Sequence, residues 1–396
     1  MSTVTFSVAR NDIKNVVDEN GDLSQVAVNV PSFEYNANGT YKGLLVESTS
    51  QNEIRNSEGG GSTNGVVGSG GALPTNWGTA GLNGIAVEII GTGTEKGVEY
   101  VDIKFSGTAT STGQFSLRFD SISQITAAQN EFWSSSVFMK YTDQTANPES
   151  VSLGIQQFDS TPTFLAADSQ TITLTDTLTR YKYENVELDN ASTASIINTV
   201  FFGITNTESY NFTVRFGLPQ LEESKCVTSV IKTTSAAVER LKDEIKNTSA
   251  TTYIGQTSGT IYAEVQIDQI VKNGNIIRAS DATDATNWNV RMLIFNGSLI
   301  YNLNYGSGNS ISITTTASTG NHKLALVYTD GDTRAYLNGS QVSTTNTTSW
   351  GDFTSNQLDT IDIGVATSGT EFNNWIRAFA FYKRALTDNE AKILTQ

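Results

Sequence analysis

The strongest constraint on this chain is a strict two-residue alternation of apolar and polar side chains. In GTIYAEVQI, residues 259–267, Ile261, Ala263, Val265 and Ile267 fall on one side and Tyr262, Glu264 and Gln266 on the other. Successive side chains of a strand point to opposite faces, so the pattern describes an antiparallel strand with one buried face. Phe212, Val214 and Phe216 alternate in the same way with Asn211, Thr213 and Arg215. Between residues 80 and 216 short runs such as IAVEIIG, GQFSLRFDS and NTVFFGITN follow one another with Gly, Asn, Asp or Ser between them. That spacing belongs to a sandwich or jelly roll. After residue 267 come VRMLIF, SLIYNLN and SISITTT, then a hairpin turned at Asp330-Gly331 with a second turn at Asn338-Gly339. The expected fold class is all-β, with tandem antiparallel β-sandwiches.

At 396 residues the chain exceeds one ordinary core, and two domains are expected. The division falls in 216–238, where Gly217 and Pro219 are read as stopping a strand. Pro219 is also the last of the five prolines, as if two separately built units were joined here. The boundaries drawn are a hairpin segment at 1–30, a jelly-roll sandwich at 31–235, a linker at 236–254 and a second sandwich at 255–396. The first segment turns at Asn20-Gly21, and Val26, Val28 and Val30 share a face of the strand that follows. In the linker Val238, Leu241 and Ile245 stand at helical spacing, and helix and strand remain open there. Asn52 is placed to bond backbone groups as its chain leaves a buried strand. Thr387 followed by Glu390 forms a capping box for a final short helix.

The chemistry available is narrow. A formal charge of −15 with Lys and Arg scattered singly argues against nucleic acid as a partner. No run approaches the ~20 apolar residues that a membrane span needs, so no membrane insertion is expected. The single cysteine, Cys226, excludes an intrachain disulfide. The single histidine, His322, lies in phase with Leu324, Leu326 and Tyr328 and is read as structural. Glu187-Leu188-Asp189 approaches the three-carboxylate strand of sandwich glycosidases, but Ser192 stands where the third acid belongs. The glycine-rich stretch at 58–72 has no Lys-Ser/Thr pair and leads to Pro74 and Trp77, so it is read as a flexible surface loop rather than a phosphate cradle. No catalytic residue is expected.

Several stretches resemble known families. Residues 216–240, with GLPQLEESKCVTSVIKTTSAAV, and 43–58, GLLVESTSQNEIRNSE, are similar to segments of bacteriophage virion proteins that carry a carbohydrate-binding-like β-sandwich in head spikes and tail fibres. Ser224, Lys225 and Cys226 depart from that pattern. The hairpin at 322–342, with IDIGVA at 361–366 and NNWIRAFAFYKRALTDNEAKILT at 373–395, resembles the concanavalin A-like, laminin G or pentraxin-type sandwich. The resemblance implies a virion surface protein, a fibre, spike or head appendage, that binds host surface polysaccharide and touches other virion proteins. Architectural decoration without sugar binding is the second reading and a polysaccharide depolymerase the third. No heptad or β-helix repeat is present, so a homotrimer would have to use sandwich faces.

Sugar rings stack on aromatic faces while Asn, Asp and Gln fix their hydroxyls. Trp288, Tyr301, Tyr305 and Trp350 are the candidates in the second sandwich and Trp77 in the first. Asn287 and Asn289 flank Trp288, Ser349 and Asp352 accompany Trp350, and Trp375 is expected to be buried. No cofactor is required. The calcium candidates are the loop pairs Asp281 with Asp284 and Asp330 with Asp332, because laminin G relatives hold calcium at a sandwich rim.

Overall fold

The structure, a computed structural model, describes residues 5–270, 273–306, 308–351, 353–354, 356–366 and 370–396, with 365–366 and 370–371 described by backbone alone. Asp352 lies outside the described residues. The regular structure is almost entirely strand, and the chain divides into two compact units with one crossing inside 236–254, at 240–241, and another at 49–50. One unit joins residues 1–49 to 241–396, and the other is 50–240. The inserted sandwich interrupts the second one.

In the split sandwich two seven-stranded antiparallel sheets face each other across one core. The first runs Ser7–Ala9, Glu244–Asn247, Thr360–Ile363, Gly274–Ser280, Trp288–Phe295, Ser298–Tyr305, Ser310–Thr316. The second runs Ser340–Gln341, Asp332–Leu337, Gly320–Thr329, Ser258–Ile267, Asn374–Tyr382, Tyr41–Val46, Phe33–Tyr35. Val46, Ile261, Val265, Leu326 and Ile376 of one sheet meet Ile277, Val290, Met292, Leu303 and Ile363 of the other. The alternation read at 259–267 is thus the inner face of a central strand. The final helix, Asp388–Leu394, starts at Thr387 with both halves of the capping box formed.

The segment 1–49 therefore belongs to the split sandwich, which corrects the division at 30, while the later crossing, at 240–241, falls inside the segment read as a linker. Leu44, Leu45 and Val46 pair with Ile376, Trp375 and Asn374, and Val8 pairs with Ile245. Alternation shows that a strand has a buried face; it does not say which sheet supplies its neighbour. Across 236–254 the residues at helical spacing fall in and between two short strands, Val238–Arg240 and Glu244–Asn247, and a single 3-10 turn follows at Ala250–Thr252. Asn20-Gly21 does turn a hairpin, but its second strand ends at Val26, and Val28 and Val30 are exposed beyond it. A buried ionic cluster holds this region: Asp243 binds Arg10 at 2.8 Å and Lys14 at 2.6 Å, and Lys14 binds Glu47 at 2.9 Å.

The inserted sandwich has two six-stranded sheets around Phe105, Phe115, Phe202, Phe212 and Phe216. Pro219 does not end its strand. Ser209–Glu222 continues through a register shift opposite Ser136 and Phe138, with Leu218 at φ 45°, so the proline occupies an irregularity where no ladder N–H is required. The stretch at 58–72 is not a plain flexible loop, because Gly65–Val66 pairs with Ile89 and Glu88 and Thr63 pairs with Ala72. Asn52 is fully buried, donates to the carbonyls of Pro219 and Ile231, and accepts from the N–H groups of Ile54 and Leu221.

Candidate functional site: an aromatic mouth on the split sandwich

Trp288 and Tyr305 are direct cross-strand partners at one end of the first sheet. Val290 and Met292 follow Trp288 at two-residue steps, and Tyr301 and Leu303 precede Tyr305 in the same way, all of them buried. The two rings therefore continue the core-facing side of the sheet to its rim, where both are half-buried. Below them Trp350 and Phe353 lie 5.0 Å apart, with Trp288 6.2 Å from Phe353 and Tyr305 6.5 Å from Trp350. Gly306 takes φ 115°, a conformation that favours glycine, and a Cβ there would only touch the Trp288 ring, at 3.4 Å.

The loops around this mouth are tied down by their own polar groups. Asn289 donates to the carbonyls of Ala285 and Thr286, Asn304 donates to Thr286, and the Asn287 amide binds Asp284. The asparagines beside Trp288 thus shape the loop that presents the ring. Asp330 accepts the N–H groups of Trp350 and Gly351 and the hydroxyl of Ser349. Those donors, the Trp350 N–H foremost, hold its carboxyl below the usual range.

That anchor explains a correction. Trp350 was expected at the surface, but Asp330 folds the 349–351 loop inward, and the tryptophan is 7% exposed with its indole N–H on the Thr329 carbonyl. Tyr301 is fully buried and donates to the Tyr336 carbonyl, and burial pushes its phenol pKa up. Trp77 lies in the inserted sandwich's core, edge-on to Phe119 at 4.9 Å with its N–H on the Asn56 carbonyl. None of the three offers a ring face to a ligand. Trp375 is buried as expected, donating to Glu34 with the Lys42 ammonium 3.4 Å above its ring. Phe353, Gly306 and the Asp330 anchor went unread, because their roles depend on contacts far along the chain.

The calcium candidates are each engaged by donors of the protein itself. Asp281 accepts the hydroxyl and N–H of Thr283 and the N–H of Asp284, and these donors, the hydroxyl first, lower its pKa. Asp284 is taken by Asn287, Asp330 by its loop, and Asp332 pairs with Arg334 at 2.8 Å. Among the described residues no group of three His, Cys, Asp or Glu side chains could hold a metal ion. His322 bonds the Ser318 carbonyl and the Asn338 amide. No described helix is long and apolar enough to cross a membrane.

The sheets define the fold class: two antiparallel β-sandwiches, one inserted along the chain into the other. Residues 242–392 match the family described as the concanavalin A-like lectin/glucanases superfamily. No curated protein matches the chain. Among solved structures, the CBM40 of the Ruminococcus gnavus IT-sialidase aligns with 36% of this chain and 84% of its own, at 16% identity and a TM-score of 0.31. Domain 4 of AbnA, an extracellular arabinanase from Geobacillus stearothermophilus, aligns over 44% and 84% at 15% identity and 0.34. Mouse laminin alpha1 chain, domains LG4-5, aligns over 66% and 90% at 12% identity and 0.25.

Proposed function

We propose that the split sandwich is a glycan-binding module that works without catalysis, in a protein displayed on a bacteriophage virion and directed at host surface polysaccharide. The observation that carries the binding reading is the half-buried Trp288–Tyr305 pair, set rigidly at the rim over a bed of Trp350 and Phe353. Such a pair gives a pyranose ring an apolar face to stack on. The lectin superfamily match over 242–392 supports the same reading. The virion setting rests on the resemblance of 43–58 and 216–240 to phage spike and fibre segments.

The test is calorimetry of the full chain against saccharides chosen from a bacterial glycan array. Trp288→Ala is expected to weaken binding by about 1–3 kcal/mol while the fold survives. Binding by stacking is also expected to persist in added salt, because a neutral sugar releases no counterions. Silence across the array would leave architectural decoration as the function. An unchanged affinity in Trp288→Ala would move the site elsewhere.

A further inference from the structure

An outer strand presents unpaired N–H and C=O groups to any strand that arrives, and proteins usually guard such edges. Three of the four outer strands of the split sandwich are guarded by shortness: Ser7–Ala9 and Phe33–Tyr35 have three residues each, and Ser340–Gln341 has two. The fourth, Ser310–Thr316, has seven residues, SISITTT, and pairs with Ser298–Tyr305 without a register break. It carries no charge and no proline. The long outer strands of the inserted sandwich are built differently. Thr179–Glu187 carries Arg180, Lys182, Glu184 and Glu187, Phe164–Ile172 carries Asp168, and each has a register shift against its neighbour.

Beside the unguarded edge lies an open groove of about 410 Å³, lined by Ser312, Ile313 and Thr314 and by the segment 343–348. That segment is held to the opposite sheet by Asn346, which exchanges two 2.9 Å backbone hydrogen bonds with Thr333. No side chain in the lining is charged and none is aromatic. A sugar would find no ring to stack on, and a charged segment no counterion. The groove does offer strand backbone and hydroxyl groups along an edge of about 24 Å, at ~3.4 Å per residue.

We propose that this groove receives an extended, uncharged polypeptide segment of a partner protein, which adds to the 310–316 strand as an eighth strand. Main-chain hydrogen bonds would supply the affinity, and the neutral, hydroxyl-rich lining would select against charged segments. The site is separate from the aromatic mouth and does not depend on the glycan reading.

Hydrogen exchange of the full-length protein tests it, with the acetylated and amidated heptapeptide SISITTT as probe. Exchange across 310–316 is expected to slow by about tenfold or more at saturating peptide. The same peptide with proline at its centre, which cannot donate at that position, is expected to protect far less. Thr314→Lys and Ser312→Lys, both at exposed positions, are each expected to abolish the protection, while Trp288→Ala retains it. Three results would each overturn the proposal: no protection by the peptide, protection that survives both lysine variants, or protection by the neutral sugar maltoheptaose alone. Loss of glycan binding in Trp288→Ala with peptide protection intact separates the fate of this proposal from that of the mouth.

Discussion

The chain passes between its two sandwiches at 49–50 and again at 240–241, and each sandwich closes over its own ends with different chemistry. At the ends of the inserted one an amide and a carboxylate gather backbone and hydroxyl groups, beside the buried Arg240. Asn52 satisfies four backbone groups, and buried Glu222 accepts the hydroxyls of Ser50 and Thr228 and the Thr228 N–H. The split one uses ions. Arg10 and Lys14 are both fully buried and converge on Asp243, with Glu47 completing the cluster. A local strand pair, Ser50–Asn52 with Val238–Arg240, brings the ends of the inserted unit together. The split unit must instead join segments that the whole insert separates along the chain. A buried ion cluster suits that task because few alternative pairings would satisfy its charges.

The largest expected effect follows from this difference. Residues 255–396 alone are expected not to fold, because they lack the 41–46 strand that covers Trp375 and Ile376 and the 244–247 strand that pairs with 361–363. Residues 5–49 joined to 241–396 by a short linker are expected to unfold cooperatively, since the Asp243 N–H already meets the Glu47 carbonyl at 2.9 Å. Circular dichroism melts of the two proteins decide it. A cooperative melt of 255–396 would show that the segment before Ser50 is an accessory, and the comparison would fail. Cleavage near Lys246 is likewise expected to damage the split sheet, because that residue lies inside one of its strands.

Next in size is Asp243→Ala, which leaves Arg10 and Lys14 short of their shared carboxylate. Removing one partner from a buried ion cluster costs about 3–5 kcal/mol. Hydrogen exchange resolved by region is expected to show faster exchange throughout the split sandwich and no change in 50–240. Equal loss in both would mean that they fold as one unit.

Trp350→Ala and Trp288→Ala sharpen the contrast between core and rim within the split sandwich. The buried tryptophan is expected to cost about 3–5 kcal/mol of stability. The half-buried one is expected to cost less stability and more saccharide affinity. Thermal melts and calorimetry on both variants give the two columns, and a stable Trp350→Ala protein would place that ring outside the core.

These outcomes bear on what the sequence discloses. Strand alternation, the Asp330-Gly331 and Asn338-Gly339 turns and the Thr387–Glu390 box were legible because each is settled within a few residues. The ownership of 1–49 was not, because Arg10 finds Asp243 233 residues away, and nothing local marks either as half of a pair. Trp350 misled for the same reason. Its neighbours Ser349 and Asp352 suggest a surface loop, but Asp330, 20 residues back, gathers the donors of Ser349, Trp350 and Gly351 and turns the indole inward. Trp288 does stand half-buried at a strand end, but its flanking asparagines serve the loop.

The smallest expected effect lies at the helix that ends the split sandwich, an element with no counterpart among the described residues of 50–240. Glu390 is held at about 2, against an ordinary 4.5, chiefly by its hydrogen bonds to Arg384 and then by the Thr387 N–H and hydroxyl. The unfolded chain protonates this group at higher pH than the folded one does. Its contribution is therefore complete above pH 4.5 and is lost as pH falls from there toward 2. Solvent screens the exposed pair, so the contribution is small and weakens with salt. Glu390→Gln is expected to lower the Tm of the split sandwich slightly at neutral pH and to melt like the parent near pH 2. Thr387→Ala, which removes the other half of the box, is expected to cost about 1 kcal/mol. A gap between Glu390→Gln and the parent that stays constant from neutral pH to pH 2 would show that the side chain acts by packing, and the charge argument for this end of the sandwich would fall.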